Sequence, residues 1–485
     1  MEIRYVVPVS AGKIAVFFRY MVILFWIILP GCMKMPGPFE TLADFQQGFY
    51  KRKAPAAIPP GAELTLQKAV ETALLNNPTN LAAAQAVNAA RYGYYRALSA
   101  YAPEFNVNYS LGHTLSRGWN LKNPPVGVMK RNDHFAASGT VSASLLLFDG
   151  FARELETIIA RQEYNKSAAA EKNVRRLLSR AAAFAYLDMY LAEEEIVIYG
   201  EDLDFQNAAL RQEEERFRNG HVSKASVLNF RILAAKARSN ISNARYRRQV
   251  AFHALSALMG YAPGVLPEDI KLQKISTSVP AQIYDEDFYL ELAVMQRPDL
   301  QAEKITLEIA YRSKQKALAD FFPEFRIFSE YSFDTYNARY GGWNVSRSHS
   351  LQGIFTYGLE GKWNIFRGFS TINNMRRQQA LEKVALWGLN AKFLEVAAEV
   401  SDARSNCLNA RYQIEVYQEM AQWVKEQRDL VFSEYCNGRE TLTRLNETQA
   451  TLTGARSRLA VSAIEFSKSA AQLAAAIGLP AFSSQ

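Results

Sequence analysis

Between residues 389 and 424 the apolar positions fall at Leu389, Phe393, Val396, Val400, Ala403, Cys407, Ala410, Ile414, Tyr417, Ala421 and Val424. The steps alternate between four and three, which puts these side chains on one narrow face of an α-helix and predicts a coiled-coil seam. Moving back 218 positions finds the same register at Leu178, Ala182, Ala185, Met189, Ala192, Ile196, Tyr199 and Leu203. No proline falls between Pro125 and Pro263 or between Pro323 and Pro480. A proline inside a helix removes a hydrogen bond and clashes with the preceding turn, so both gaps can hold very long helices. The pattern predicts helices over residues 152–218 and 370–436, broken at Asn219-Gly220 and Asn437-Gly438, where the chain needs positive φ. Sixty-seven residues of helix span roughly 100 Å. Their apolar stripe is too narrow for a membrane span, which needs about 20 nearly continuous apolar residues. Return helices are expected over 222–259 and 439–477. Shorter leading helices, over 79–102 and 299–322, are expected to stack end to end with them beside the long ones.

Between each leading helix and each long helix the period changes to two. Phe105, Val107, Tyr109 and Leu111 alternate with Asn106, Asn108, Ser110 and Gly112, and Val141, Ala143, Leu145 and Leu147 alternate with Thr140, Ser142 and Ser144. The second half gives Ile327, Tyr331 and Phe333, then Phe355, Tyr357, Leu359, Trp363 and Ile365 set against Thr356, Glu360, Lys362 and Asn364. Such segments suit the strands of a transmembrane β-barrel, apolar toward lipid and polar toward the lumen; a soluble sheet packed on a core shows the same alternation. Four strands cannot close a pore, and an open edge is not tolerated in lipid. A barrel would therefore have to be shared among subunits.

The two halves are copies. Phe148, Gly150 and Phe151 recur as Phe366, Gly368 and Phe369, Arg238-Ser239 as Arg456-Ser457, and Leu255 and Gly260 as Leu473 and Gly478, every pair 218 apart. Pro103-Glu104-Phe105 and Pro323-Glu324-Phe325 differ by 220, so an insertion or deletion falls between Phe325 and Phe366. The fold class expected is mainly α with a transmembrane β-barrel, built from two tandem repeats of helix-strand-strand-long helix-helix. The repeats cover residues 64–262 and 285–479, joined by a linker at 263–284 and followed by a tail at 480–485.

At the N-terminus Arg4, Lys13 and Arg19 precede the apolar run 21–29, which is too short to span a bilayer and suits a signal-peptide core. It ends in Leu29-Pro30-Gly31-Cys32, which resembles a bacterial lipoprotein cleavage box. Residues 1–31 are read as a signal peptide and Cys32 as the acylated first residue; an ordinary signal peptide with an incidental Cys32 is the alternative. Residues 32–63 form a Pro-rich, aperiodic linker.

Composition limits function more than it names it. The net charge of +8 falls to +6 without residues 1–31, and the charges alternate in sign along the helices rather than forming a basic patch with interleaved aromatics, so no nucleic-acid partner is expected. His113, His134, His221, His253 and His349 are scattered, with no metal-ligand spacing and no phosphate-binding loop. Neither enzyme chemistry nor a cofactor is expected. Glu193-Glu194-Glu195 and Glu213-Glu214-Glu215 read as solvated helix faces. Cys407 fills a seam position and Cys436 lies near the turn, too far along one helix to be bridged.

The architecture resembles the TolC-like outer-membrane factor family over residues 64–479. The resemblance rests on Asn77-Pro78, Pro103-Glu104-Phe105, Phe148-Asp149-Gly150 and the glycine turns followed by Val227-Leu228-Asn229 or Leu445-Asn446. It implies a homotrimer with one 12-stranded barrel in outer-membrane lipid and a helical tunnel through the periplasm. It further implies a periplasmic adaptor and an inner-membrane pump as partners, and lipoprotein efflux ducts as the nearest kind of member. Gly220 and Gly438 would lie at the periplasmic tip, with Tyr435, Glu440, Arg444 and Glu447 at the gate. Glu440 and Arg444 depart from the charges usual at those positions, and their spacing also suits an ordinary i,i+4 pair. The function implied is a passive duct exporting small molecules; a protein-secretion channel, or a periplasmic coiled-coil adaptor without lipid-facing strands, is the alternative.

Overall fold

The computed structural model describes residue 59 and residues 61–120, 128–262, 265–274, 283–341 and 346–480. The expected signal peptide, Cys32 and most of the N-terminal linker lie outside the described residues. In chain order the elements are β1 (Glu63–Leu64), α1 (Leu66–Asn76), α2 (Pro78–Leu98), β2 (Glu104–Asn120), β3 (Val128–Phe148), α3 (Ala152–Arg218) and α4 (Lys224–Leu258). Then follow β4 (Lys271–Leu272), α5 (Glu286–Gln296), α6 (Pro298–Ala317), β5 (Glu324–Gly341), β6 (Ser346–Lys362), α7 (Ser370–Cys436) and α8 (Leu442–Ala476). The molecule is mainly helical. α3 and α7 each run for 67 residues, and α4 and α8 each for 35.

Several boundaries correct the sequence reading. The leading helices stop at Leu98 and Ala317, each followed by a single tighter turn, instead of reaching 102 and 322. Ala102 (φ −87°, ψ 153°) and Phe322 (φ −98°, ψ 156°) are extended because each precedes a proline, whose Cδ excludes the helical region at the residue before it. The return helices begin two or three residues late, after the caps Ser223 and Thr441. Trp363 and Ile365 lie beyond β6, and Trp363 Nε1 donates to Phe321 O at 3.1 Å. The 263–284 linker holds β4, which pairs in parallel with β1, and buries Leu266 and Ile270 in the same cluster as Leu64. Two-residue strands are too short to leave a periodic signal.

The chain forms two compact units, each drawing on both halves of the sequence. The first, from residues 93–160 and 311–381, is built on an antiparallel sheet of order β2-β3-β5-β6. Its register aligns Phe105, Ala143, Ser329 and Tyr357 in one row and Val107, Val141, Tyr331 and Phe355 in the next. The row between them, Asn106, Ser142, Glu330 and Thr356, faces the other way. Phe105, Val107, Tyr109, Leu111, Phe355, Tyr357 and Leu359 leave the apolar face exposed. Beyond β3 and β6 the backbone turns through Gly150-Phe151 and Gly368-Phe369, all four with φ between 59° and 70°. Positive φ at a phenylalanine costs about 1–3 kcal/mol. Edge-on contacts of Phe151 with Phe148 (5.5 Å) and Phe369 with Phe366 (5.4 Å) hold the two turns.

The second unit takes residues 53–92, 161–310 and 382–485. Here the seam is buried from Val396 through Val400, Ala403, Cys407 and Ala410 to Ile414, and from Leu178 through Ala182, Ala185 and Met189 to Ala192. Phe393, expected in the seam, is exposed: α8 ends at Ala476, and Leu473, Ala476 and Ile477 cover α7 only as far as Val396. The ends of the return helices meet the starts of the leading ones. Asn77 Nδ2 donates to Leu258 O at 2.9 Å, and Arg297 Nη1 to Ala476 O at 3.1 Å.

At that second junction Gly478 has φ +94°, and a Cβ there would stand 2.8 Å from the Gln296 carbonyl carbon; at Gly438 (φ +74°) a Cβ would meet nothing. Gly438→Ala should therefore cost only the left-handed strain, about 1–2 kcal/mol, whereas Gly478→Ala adds a clash with backbone that cannot move aside. The expected result, read from thermal unfolding in detergent, is a clearly larger loss for Gly478→Ala.

Candidate functional site at the helix tips

Both long helices end in the same hydrogen-bond pattern. His221 N–H bonds Arg216 O at 2.9 Å and Gly220 N–H bonds Phe217 O at 3.0 Å; Arg439 bonds Glu434 O at 2.9 Å and Gly438 bonds Tyr435 O at 3.0 Å. These are Schellman closures, which need a left-handed residue after the helix, and Gly220 (φ 76°) and Gly438 (φ 74°) supply it. The next helix is then capped by Ser223 Oγ accepting from Ser226 N–H at 3.4 Å, or Thr441 Oγ1 from Arg444 N–H at 3.2 Å. Glycine and capping hydroxyl sit three residues apart in both copies, so each reversal is fixed locally.

Between the turns Ala209, Phe230, Val431, Tyr435 and Leu445 form an apolar cluster. Tyr435 is 8% exposed and its hydroxyl donates to Glu213 Oε1 at 2.6 Å. Burial, then the adjacent Glu213 carboxylate, pushes the Tyr435 phenol far above its ordinary value. Arg216 Nη1 lies 3.3 Å from the same Glu213 oxygen, and its guanidinium stands 5.5 Å from the Tyr435 ring centre. Glu213 is 1% exposed, and its Oε2 has no hydrogen-bond partner among the described residues.

The other expected tip residues stand apart from this cluster. Glu440 Oε2 accepts from Thr441 N–H at 3.2 Å. The i,i+4 pair with Arg444 is not formed, because α8 begins at Leu442 and Glu440 precedes its cap. Arg444 instead lies 3.6 Å from Glu447, both exposed, a contact worth little in water. Reading the acidic runs as solvated faces also fails at two positions: Glu213 is buried, and so is Glu195, 2.6 Å from Arg247. The signal was available, since steps of three and four from Leu203 lead to Gln206, Leu210 and Glu213.

The sequence matches the family described as outer membrane efflux protein over residues 69–261 and 289–479. The chain belongs to that family. Comparison with curated proteins finds no match. Among solved structures, the CusC channel superposes with a TM-score of 0.72 at 19% identity, covering 88% of this chain and 98% of that one. The CmeC outer membrane channel of Campylobacter jejuni gives 0.70 at 16% identity, covering 85% of each chain. VceC, the outer membrane protein of Vibrio cholerae, gives 0.67 at 18%, covering 85% and 96%. At such identities these structures establish the fold.

α3 of this outer membrane efflux protein carries a series of acids bonded to the α7–α8 pair. Asp188 meets Lys468 at 2.6 Å, Glu201 meets Arg456, and Asp202 Oδ1 accepts from Gln449 Nε2 at 2.8 Å. Glu213 is the last and the most buried. A cleft of 140 Å³ beside Asp202 is lined by Phe205, Arg428, Gln449 and Arg456.

A second buried charge cluster holds the opposite end of α8. Arg297, 1% exposed, binds Asp299 through Nε (3.0 Å) and Nη2 (2.7 Å), Glu399 through Nη1 (2.6 Å), and the Ala476 carbonyl. Arg176 Nη1 donates to Ala475 O at 2.6 Å, and Lys392 lies 3.3 Å from Asp299. The cations outnumber the carboxylates, and the helix C-terminus supplies the missing negative end. Burial raises the Asp299 carboxyl, but the bidentate Arg297 pair overrides it and holds the group well below the usual carboxylate range. Burial and the neighbouring Arg297 push the Arg176 guanidinium down. A depressed carboxylate contributes stability that is complete above its unfolded value, about 3.9, and fades as pH falls toward the folded one. Wild-type protein should therefore lose thermal stability in detergent below about pH 4. Asp299→Asn should be less stable at pH 7 by about 3–5 kcal/mol and show a flatter acid limb.

Proposed function

We propose that three copies of this outer membrane efflux protein close one 12-stranded barrel and serve as the passive exit duct of a tripartite efflux system. The observation that carries the reading is the sheet: among the described residues β2 is paired only to β3 and β6 only to β5, while one face is apolar and exposed. Among the described residues no helix is long and apolar enough to cross a membrane. A lipid-facing sheet leaves unpaired N–H and C=O groups at two edges, which hydrocarbon cannot satisfy. Pairing β6 of one copy with β2 of the next meets both edges with the same contact, and a closed ring has no remainder.

In this reading the helical unit forms the periplasmic conduit, and the tips around Gly220 and Gly438 meet the adaptor of an inner-membrane pump. Tyr435, Glu440, Arg444 and Glu447 belong to the constriction, with Arg444 neutralised by Glu447, because a like charge repeated around an axis needs a nearby counter-charge. The cargo is small molecules, and Cys32 carries a lipid anchor.

Purified in mild detergent, the protein should have the mass of a trimer by light scattering and conduct ions in a planar bilayer; a monomer that conducts would overturn the shared barrel. Intact-mass analysis should find a chain beginning at acylated Cys32. An unmodified N-terminus at any other residue would refute the anchor.

A further inference from the structure

We propose that Phe151 and Phe369 enter the bilayer at the boundary between lipid headgroups and acyl chains and set the depth at which the sheet sits; this rests on the lipid-facing sheet of the reading above. Backbone strain marks the two residues. Among the described residues Phe151 (φ 68°) and Phe369 (φ 64°) are the non-glycine residues with positive φ, and each follows a glycine that also has it, Gly150 (φ 70°) or Gly368 (φ 59°). A second glycine would relieve a strain of about 1–3 kcal/mol at each position. Both copies hold a phenylalanine instead. Packing within the chain offsets little of that cost, because Phe151 is 62% exposed and Phe369 63%, each with an edge-on contact to Phe148 or Phe366. A large apolar side chain held in a costly conformation and left uncovered by its own chain points to a partner outside the chain.

Their place in the sheet says what covers them. The register pairs Glu104 with Ser144, Phe148 with Phe325 and Glu324 with Lys362, so β2 and β5 begin at the end of the sheet where β3 and β6 finish. At that end Phe105, Leu147, Phe322, Trp363, Ile365 and Phe366 are exposed. In one direction the apolar face of the sheet continues through Tyr357 and Phe355, both exposed. In the other the long helices open on charge, with Arg153, Glu154 and Glu156 after Phe151, and Arg376 and Arg377 after Phe369. The two strained rings therefore stand between an apolar band and a charged one. This is the level at which transmembrane barrels carry girdles of aromatic side chains, whose rings leave water without reaching the middle of the hydrocarbon. Trp363 marks the same level, its indole N–H bonded to Phe321 O and its ring exposed. The first turn is also held in place: a Cβ on Gly150 would stand 2.8 Å from Ala319 O, so the backbone carrying Phe151 rests against the turn after α6.

The test uses trimers reconstituted in phosphatidylcholine vesicles, with bromine placed either near the headgroup or near the chain ends to quench tryptophan emission. Phe151→Trp and Phe369→Trp keep an aromatic ring at each turn, and Tyr357→Trp puts one on the apolar face further along β6. The quantity read is the emission that each variant adds to wild type. At positions 151 and 369 it should be lost most to bromine near the headgroup, and at position 357 most to bromine near the chain ends. If the first two probes respond to aqueous iodide and to neither lipid while the third is quenched by lipid, the sheet lies in the membrane and the anchor is overturned. If the probe at 357 also escapes both lipids, the sheet does not face lipid, and the reading that the anchor rests on fails with it. A second variant removes the rings and the strain together: Phe151→Gly with Phe369→Gly, carried with Tyr357→Trp, should still form trimers but lose the difference between the two bromine positions. An unchanged difference would overturn the role in setting depth.

Discussion

Everything in the helical unit depends on burying a stripe only one or two side chains wide along two 67-residue helices. Isolated helices of this composition gain too little from propensity to persist, so the stripe must find partners over its length. Alanine at 182, 183, 185 and 192 on α3, and at 403 and 410 on α7, keeps side chains short there. Short side chains allow close backbones, and close backbones exclude water from a seam that contains few large residues.

Such a seam specifies neither where it begins nor where it ends. Charge does that. At one end Arg297 and Arg176 bind the last carbonyls of α8 and two carboxylates, a cluster in which nearly every donor and acceptor is met. Toward the tips the carboxylates come from α3 and the pairing is poorer, with Gln206, Gln449 and Glu213 each keeping a buried oxygen without a hydrogen bond among the described residues. Removing a partner from a well-satisfied buried pair costs several kcal/mol, roughly 3–5. A poorly satisfied one costs less to separate. The contrast leaves one helical unit with a well-satisfied charge cluster at one end and a poorly satisfied one toward the tips.

The sheet obeys a different rule. Its strands are held by backbone pairing in a register that keeps Phe105, Val107, Tyr331 and Phe355 on one face, and its edges must be met by something other than this chain if that face lies in lipid. Two hairpins side by side leave β2 and β6 as the edge strands of the sheet among the described residues.

The sequence by itself determined the duplication, both 67-residue helices to the residue, the glycine turns and the alternating strands. Each of these is a local property: a period, an absence of proline, or a residue able to take positive φ. Belonging to the efflux family was legible for the same reason, because the order of local signals is what the family shares. Contacts between segments far apart in the chain were not legible. β1 and β4 are too short to show a period, and Arg297 reads as an isolated cation until the end of α8 arrives beside it. Glu213 lay in the seam register, yet three consecutive glutamates suggested a wet face. Only the packing of α3 against α7 decided that the first of them is buried on a tyrosine 222 residues away, because burial depends on what covers a residue and not on its neighbours in the chain.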